Sequence, residues 1–275
     1  MRKNFIMRKI LFAFTFLLLF AVSAFAHEYW LEPEKFALAP NEKTAVRLYV
    51  GDALKDKEEK PFQAAKTTMF DIFSAGKTLN LKTSLTDGAT PIYNFSGDKA
   101  GNYLLAMERN WSYIKLEPDK FEDYLREDGM EYIIGEREKL GERKKEGSER
   151  YSRFIKSLLQ VGDKRDNVYK KRLNLKLEIM PLENPYAKKV GEKLKFRVLF
   201  DGKPLADRAV FANNRNGENV TTQKMTTDKT GKITVDLDKS GLWLVRLVNM
   251  QRCKQDCGEA DWESFWAAFT FGIQE

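Results

Sequence analysis

The stretch KLKFRVLF, residues 193–200, alternates basic and apolar side chains along almost its whole length. Successive side chains of an extended chain point to opposite faces, so the apolar side chains at the even positions share one face and the basic ones share the other. The pattern predicts a β-strand with one buried and one solvated face. The turn-forming sequence DGKP follows directly at residues 201–204.

Further strand patterns lie downstream of this stretch. Residues 233–237 alternate in the same way, whereas residues 242–248 and 265–271 are almost uniformly apolar, as is typical of central strands. Gly, Asn and Asp mark the turns between them. About seven strands in roughly 100 residues indicate an immunoglobulin- or transthyretin-like β-sandwich. We therefore predict a C-terminal β-sandwich domain over residues 171–275.

The first part of the chain has a similar organisation. Short apolar runs separated by turn formers predict strands at residues 45–50, 67–73, 92–95 and 103–107. Their spacing is typical of a sandwich. We predict an N-terminal β-sandwich domain over residues 27–117.

The segment between these two domains, residues 118–170, has a different pattern. Phe121, Tyr124 and Leu125 follow Pro118 with helical spacing, and a highly charged run interrupted by glycines covers residues 131–147. Residues 148–161 carry an apolar stripe with helical spacing and predict the best helix of the segment. The predicted fold is therefore mostly β, with two β-sandwich domains and a charged helical insert between them.

Residues 1–26 are typical of a secretory signal peptide. Basic residues precede an apolar run at residues 10–22, and Ala24-Phe25-Ala26 supplies the small residues that signal peptidase requires. The apolar run is shorter than the roughly 20 residues of a membrane-spanning helix. We expect cleavage after Ala26 and a periplasmic mature protein without a membrane span.

Export changes the charge of the protein. The chain has 47 basic and 40 acidic residues, and four of the basic residues but none of the acidic ones lie in the signal peptide. The net charge of +7 thereby falls to +3, and the remaining charges are well mixed. This distribution predicts no nucleic-acid partner.

Several classes of site are excluded by composition. The 275 residues include one His and two Cys, which excludes HExxH zinc sites, sites with several His ligands, Cys₄ zinc sites and dense disulfide scaffolds. The sequence contains no Walker A, GxSxG or GxGxxG motif. We expect a protein that is not an enzyme.

The only His, His27, would become the first residue of the mature protein. A terminal His offers its α-amine and its imidazole Nδ1 to one metal ion, and both can lose their protons near neutral pH. Nitrogen donors of this kind suit Ni²⁺, Co²⁺ and Cu²⁺. The alternative is that His27 is only the residue left by processing and binds nothing.

Other ligands would have to come from elsewhere in the chain. The candidate types are carboxylates and sulfur atoms, with Glu28, Asp261 and Glu263 the main candidates beside Glu32, Met225, Met250, Cys253 and Cys257. In an oxidising compartment, Cys253 and Cys257 favour a small disulfide, and a thiolate metal site is the alternative. Trp30, Trp243, Trp262 and Trp266 suggest either a carbohydrate-binding platform or core packing.

The chain also resembles a known exported bacterial family. The resemblance rests on the segment AHEYWLEP at residues 26–33, on short motifs such as GKPL at 202–205 and GLW at 241–243, and on ADWESFWA at 260–267. The family is described as the periplasmic component of cobalt transport of the ABC type, or as nickel-uptake substrate-specific (NikK-like) proteins. The resemblance implies β-sandwich domains, cobalt or nickel handling, and a metal ligand at His27.

From these observations we expect a periplasmic protein that binds divalent nickel or cobalt, with copper as a further candidate. It would hold the ion at its mature N-terminus and supply it to a membrane transporter. The alternative is a non-enzymatic cell-envelope module that recognises carbohydrate or protein.

Overall fold

A computed structural model of the chain describes residues 27–275, and the predicted signal peptide lies outside the described residues. The strands are β1 (Glu28–Pro33), β2 (Ala37–Leu38), β3 (Lys43–Asp52), β4 (Lys55–Lys60), β5 (Thr67–Ser74), β6 (Lys77–Asn80), β7 (Tyr93–Ser96), β8 (Gly101–Leu116), β9 (Gly147–Val161), β10 (Leu177–Pro181), β11 (Lys193–Phe200), β12 (Lys203–Pro204), β13 (Ala209–Asn216), β14 (Asn219–Thr226), β15 (Lys232–Asp236), β16 (Gly241–Arg252) and β17 (Trp262–Ile273). The helices are α1 (Pro118–Glu127) and α2 (Glu131–Lys139). The predicted mostly-β, sandwich-like fold class is confirmed.

The strands of the described region form three sheets. The central sheet has the order β14-β13-β16-β17-β9-β8-β5-β6, with β2 paired to the end of β9. The front sheet contains β1, β3, β4 and β7, and the back sheet contains β10, β11, β12 and β15. Within the central sheet, β9 and β17 run parallel and join its two antiparallel halves.

The central sheet is buried on both faces. Ile155 and Leu159 of β9 pack into one apolar cluster with Leu48 of the front sheet. Leu158, on the opposite face of the same strand, packs into another cluster with Phe196 of the back sheet. The described residues therefore form three β-layers with an apolar core on each face of the central sheet, and a third apolar cluster lies under the helices.

The prediction of a helix at residues 148–161 is wrong, because this segment forms most of strand β9. Phe154 and Leu158 face the back sheet, and Ile155 and Leu159 face the front sheet. A strand buried on both faces needs no polar alternation, so its apolar residues can mimic helical spacing. The helical part of the predicted insert is confined to α1 and α2.

The predicted domain boundaries do not coincide with the boundaries of the sheets. The central sheet contains β5, β6 and β8 from residues 27–117, β9 from residues 118–170, and β13, β14, β16 and β17 from residues 171–275. The three predicted segments thus share one sheet.

The two helices cover the front face of the central sheet beside the front sheet. Phe121 of α1 and Ile133 of α2 pack against Trp262 and Trp266 of β17. A Cβ atom at Gly147 would lie 2.2 Å from the ring of Phe121, so a glycine at the start of β9 allows the helix to approach. Among residues 27–275, no helix is long and apolar enough to cross a membrane.

A buried ion pair connects the central sheet to the back sheet. Lys156 Nζ of β9 lies 3.0 Å from Glu178 Oε1 of β10, and both side chains are about 1% exposed. The backbone N–H groups of Leu173 and Asn174 also donate to this carboxylate, at 2.9 and 3.1 Å. Both buried charges are thereby compensated.

Candidate functional site

His27 lies immediately before strand β1 and is exposed. The strand behind it is well anchored, since Trp30 and Leu31 are fully buried and β1 pairs with β3 along its length. Arg153 Nη2 donates a hydrogen bond of 3.3 Å to the backbone carbonyl of His27. The structure therefore places His27 at a defined position on the surface of the front sheet.

Glu28, the next residue, is buried and ion-paired. Its carboxylate contacts Arg246 of β16 and accepts a 3.2 Å hydrogen bond from the backbone N–H of Ala53. Arg246 also binds Asp128, at 2.9 Å, and burial raises the pKa of Asp128. A metal ion could recruit Glu28 only by breaking this ion pair, so Glu28 is a poor candidate ligand.

Asp261 and Glu263 are also engaged with basic side chains. Glu263 Oε2 accepts a 3.1 Å hydrogen bond from Arg150 Nε. Asp261 Oδ1 lies 3.1 Å from Arg252 Nη2, and its Oδ2 accepts from Ser148 Oγ at 2.8 Å. Both carboxylates already have cationic partners, so neither is set up to take a metal ion.

The structure does not bring the candidate ligands together. Among the described residues, no group of three His, Cys, Asp or Glu side chains is placed to hold a metal ion. Glu28 lies on the front sheet, whereas Glu263 lies beside the back-face core residue Phe265. His27 is left with its own two nitrogen atoms as the candidate donors.

Cys253 and Cys257 are joined by a disulfide, with their Cα atoms 5.9 Å apart. This distance is within the range that a disulfide can bridge. Arg150 of β9 also donates to the backbone carbonyls of Gln255, at 2.9 Å, and Asp256. The bridge and the arginine together hold the loop after β16 against the central sheet.

Two buried arginines lie behind His27, and no local sequence pattern marks them. Arg109 of β8 and Arg153 of β9 are directly paired across the two strands and are 5% and 7% exposed. Both guanidinium groups lie over the ring of Tyr29, at 5.0 and 4.3 Å from its centroid. Arg109 Nη2 donates to Gln63 Oε1 at 2.6 Å. Burial, and secondarily the charge of Arg153, lower the pKa of Arg109.

A buried carboxyl group lies near this arginine pair. Glu149 Oε1 accepts hydrogen bonds from Ser264 Oγ and, at 3.1 Å, from Tyr124 Oη. Burial raises the pKa of Glu149 to about 7, although these hydrogen bonds and the charge of Arg153 act in the opposite direction. The front face of the central sheet thus holds a carboxyl group that titrates near neutral pH.

The tryptophans named as a carbohydrate platform are core residues. Trp30, Trp243 and Trp262 are almost fully buried and Trp266 is 5% exposed, so the packing interpretation holds for these four. The remaining tryptophan, Trp111, is partly exposed and lines a cavity of about 790 Å³ on the back face of the central sheet. In the sequence, only its polar neighbours Asn110 and Ser112 distinguish Trp111 from the other tryptophans.

The model of a domain family of unknown function, DUF4198, matches residues 24–251. Because this match covers most of the chain, the chain belongs to this family. The segment at residues 260–267 lies outside the match. No curated protein matches the chain.

One matching solved structure contains three N-terminal domains of the highly immunogenic outer capsid protein (Hoc) of bacteriophage RB49. The two sequences are 13% identical, and the match covers 89% of this chain. The chain spans 59% of the length of that structure, with a TM-score of 0.17. A likeness of this size carries no argument about fold or function.

Proposed function

We propose that this member of the DUF4198 family is an exported, periplasmic protein that binds a divalent transition-metal ion through its processed N-terminus. The ion is Ni²⁺ or Co²⁺, with Cu²⁺ as a further candidate, and the partner is a membrane uptake system. The resemblance to nickel- and cobalt-uptake proteins supports this assignment. The protein acts by binding and release, without covalent chemistry.

The observation that carries the proposal is the position of His27. It is exposed and directly precedes an anchored strand, so its imidazole and the α-amine created by cleavage would be presented at one fixed point. Because the donors are already held in place, metal binding costs less conformational entropy.

The number of protein ligands is limited by the ion pairs of Glu28, Asp261 and Glu263. With these carboxylates engaged, the protein contributes two nitrogen donors, and water or another ligand fills the other coordination positions. A site with few protein ligands releases its ion readily, which suits a protein that passes its cargo to a transporter. Both nitrogens must be deprotonated, so metal affinity falls as the pH drops.

The proposal is tested by calorimetric titration of NiCl₂ into protein whose first residue is His27. We expect measurable binding that is weakened at least tenfold by His27→Ala, and equally by one additional Met before His27, which moves the α-amine away. Asp261→Asn is the matched control, because its ion pair to Arg252 takes it out of the ligand set, and it should bind nickel like the unmodified protein. Unchanged affinity in both N-terminal variants would contradict the proposal.

A further inference from the structure

The large cavity lies on the back face of the central sheet, and Lys176, next to strand β10 of the back sheet, also lines it. Alternate residues of β9, namely Arg150, Ser152 and Phe154, line it, as expected for one face of a strand. Glu263 and Phe265 of the neighbouring strand β17 line the same wall. Its volume of about 790 Å³ is within the range of small-molecule sites.

One edge of the cavity is formed by the disulfide loop. Lys254 and Gln255, between the two bridged cysteines, belong to its lining. Arg150 holds this loop through the carbonyls of Gln255 and Asp256. The cavity therefore has a wall that is fixed before any ligand arrives, which lowers the cost of binding.

The charges around the cavity are largely neutralised within the protein. Arg150 is paired with Glu263, and Lys176 lies 2.8 Å from Asp201. The guanidinium of Arg109 lies over Tyr29 of the front sheet. Lys254 remains as an exposed cation on the loop. The walls of the cavity therefore do not favour a strongly charged ligand.

Uncharged polar groups in the wall lack partners. Ser152 is 6% exposed, and its Oγ has no hydrogen-bond partner; Asn110 Oδ1 is likewise unpaired. Buried polar atoms of this kind are costly unless a ligand or water satisfies them. The amide groups of Gln251 and Gln255 add further hydrogen-bonding capacity to the same cavity.

An aromatic surface accompanies these polar groups. Arg150 lies 4.4 Å from the ring centroid of Trp111, and Phe265 meets Trp111 edge-on at 5.6 Å, so the indole is held in place yet remains partly exposed. Neutral hydrogen-bonding groups beside an aromatic ring match a molecule with many hydroxyl groups and apolar C–H faces. The geometry points to a neutral saccharide as the ligand of this cavity, at a site separate from His27.

A glycan array of neutral mono-, di- and trisaccharides tests the inference, followed by titration of the best saccharide and tryptophan fluorescence. We expect binding that is weakened at least tenfold by Ser152→Ala, which removes an unpaired hydroxyl and should leave the thermal unfolding temperature unchanged. Trp111→Phe should weaken binding and abolish the fluorescence change. Tyr113→Ala is the matched control, since Tyr113 is also on β8 but is 59% exposed and outside the cavity lining, and it should bind normally.

Two results would overturn the inference. The first is an array without a bound saccharide, or with binding only to acidic glycans. The second is saccharide binding that persists in both Ser152→Ala and Trp111→Phe. Neither result depends on nickel binding at His27, so the two proposals stand or fall separately.

Discussion

Two buried cations of strand β9, Lys156 and Arg153, lie three residues apart on opposite faces of the central sheet. Their charges are compensated in different ways. Lys156, on the back face, meets the carboxylate of Glu178, which is itself bound by two backbone N–H groups. Arg153, on the front face, has a second arginine as its cross-strand neighbour and lies over aromatic rings, with no carboxylate within ion-pair distance among the described residues.

The two cations therefore depend on their surroundings in different ways. The charge of Lys156 is matched by one specific partner, and removing that partner would leave a charge without compensation. Around Arg153, aromatic rings and the more distant Glu149 spread the compensation over several groups. We therefore expect the back-face pair to be structural and the front-face arginines to tolerate change.

The largest expected effect is that of Lys156→Met. The substitution leaves the Glu178 carboxylate buried without its cation, which costs about 3–5 kcal/mol of the free energy of unfolding. Urea denaturation measures this loss. The double variant Lys156→Met, Glu178→Gln removes both charges and keeps an oxygen for one of the two backbone N–H groups, so it should recover part of the stability. A double variant as unstable as the single one would show that the charge pair is not the cause.

The next largest effect is a pH dependence of the free energy of unfolding, caused by Glu149 on the front face. Burial raises the pKa of Glu149 from 4.5 to about 7, so the folded protein holds this proton over a pH range in which the unfolded chain has lost it. Stability should therefore fall as the pH rises from about 4.5 to about 7, and this contribution should be constant above that range.

The variant Glu149→Gln isolates this contribution, because every other titrating group is common to both proteins. At about 1.4 kcal/mol per unit of pKa shift, the stability of the variant relative to the original protein should increase by about 3 kcal/mol between pH 4 and pH 8. Chemical denaturation across this range measures the difference. Parallel stability curves for the two proteins would show that Glu149 does not titrate abnormally.

The smallest effect is expected for Arg153→Met. The loss of its contacts with Tyr29 and Tyr151 is offset by removing a buried charge beside Arg109, so the free energy of unfolding should change by no more than about 1 kcal/mol. Urea denaturation beside Lys156→Met makes the comparison direct. A loss as large as that of Lys156→Met would mean that the arginine pair is as structural as the back-face ion pair.

The sequence predicted the strands that have one solvated face and the uniformly apolar central strands at residues 242–248 and 265–271, but it failed for β9. Lys193–Phe200 forms β11 because its basic residues point away from the core. Strand β9 was mistaken for a helix because adjacent residues such as Phe154 and Ile155 are both apolar, with one packed on each face of the sheet. Their spacing therefore does not alternate and resembles that of a helix. The front and back sheets that bury these two side chains are not visible in a local pattern.

For the candidate site, the cleavage pattern singles out His27, and its role as a metal ligand stays a prediction. The partners of the acidic candidates were not predictable, since Glu28 meets Arg246 and Glu263 meets Arg150 only through the folded sheets. Trp111 was missed because its polar neighbours Asn110 and Ser112 are too weak a signal to show that its indole lies at a cavity wall and not in a core.

Strand β17 has a consequence for the order in which the chain can fold. It is the strand that connects β16, β13 and β14 to β9, β8, β5 and β6, yet it is the last described strand to leave the ribosome. Two groups of strands are therefore synthesised before the strand that joins them, and the central sheet cannot close until β17 has emerged. If the protein is exported as proposed, a chain held open in this way stays suited to threading through a narrow translocation channel until synthesis is nearly finished.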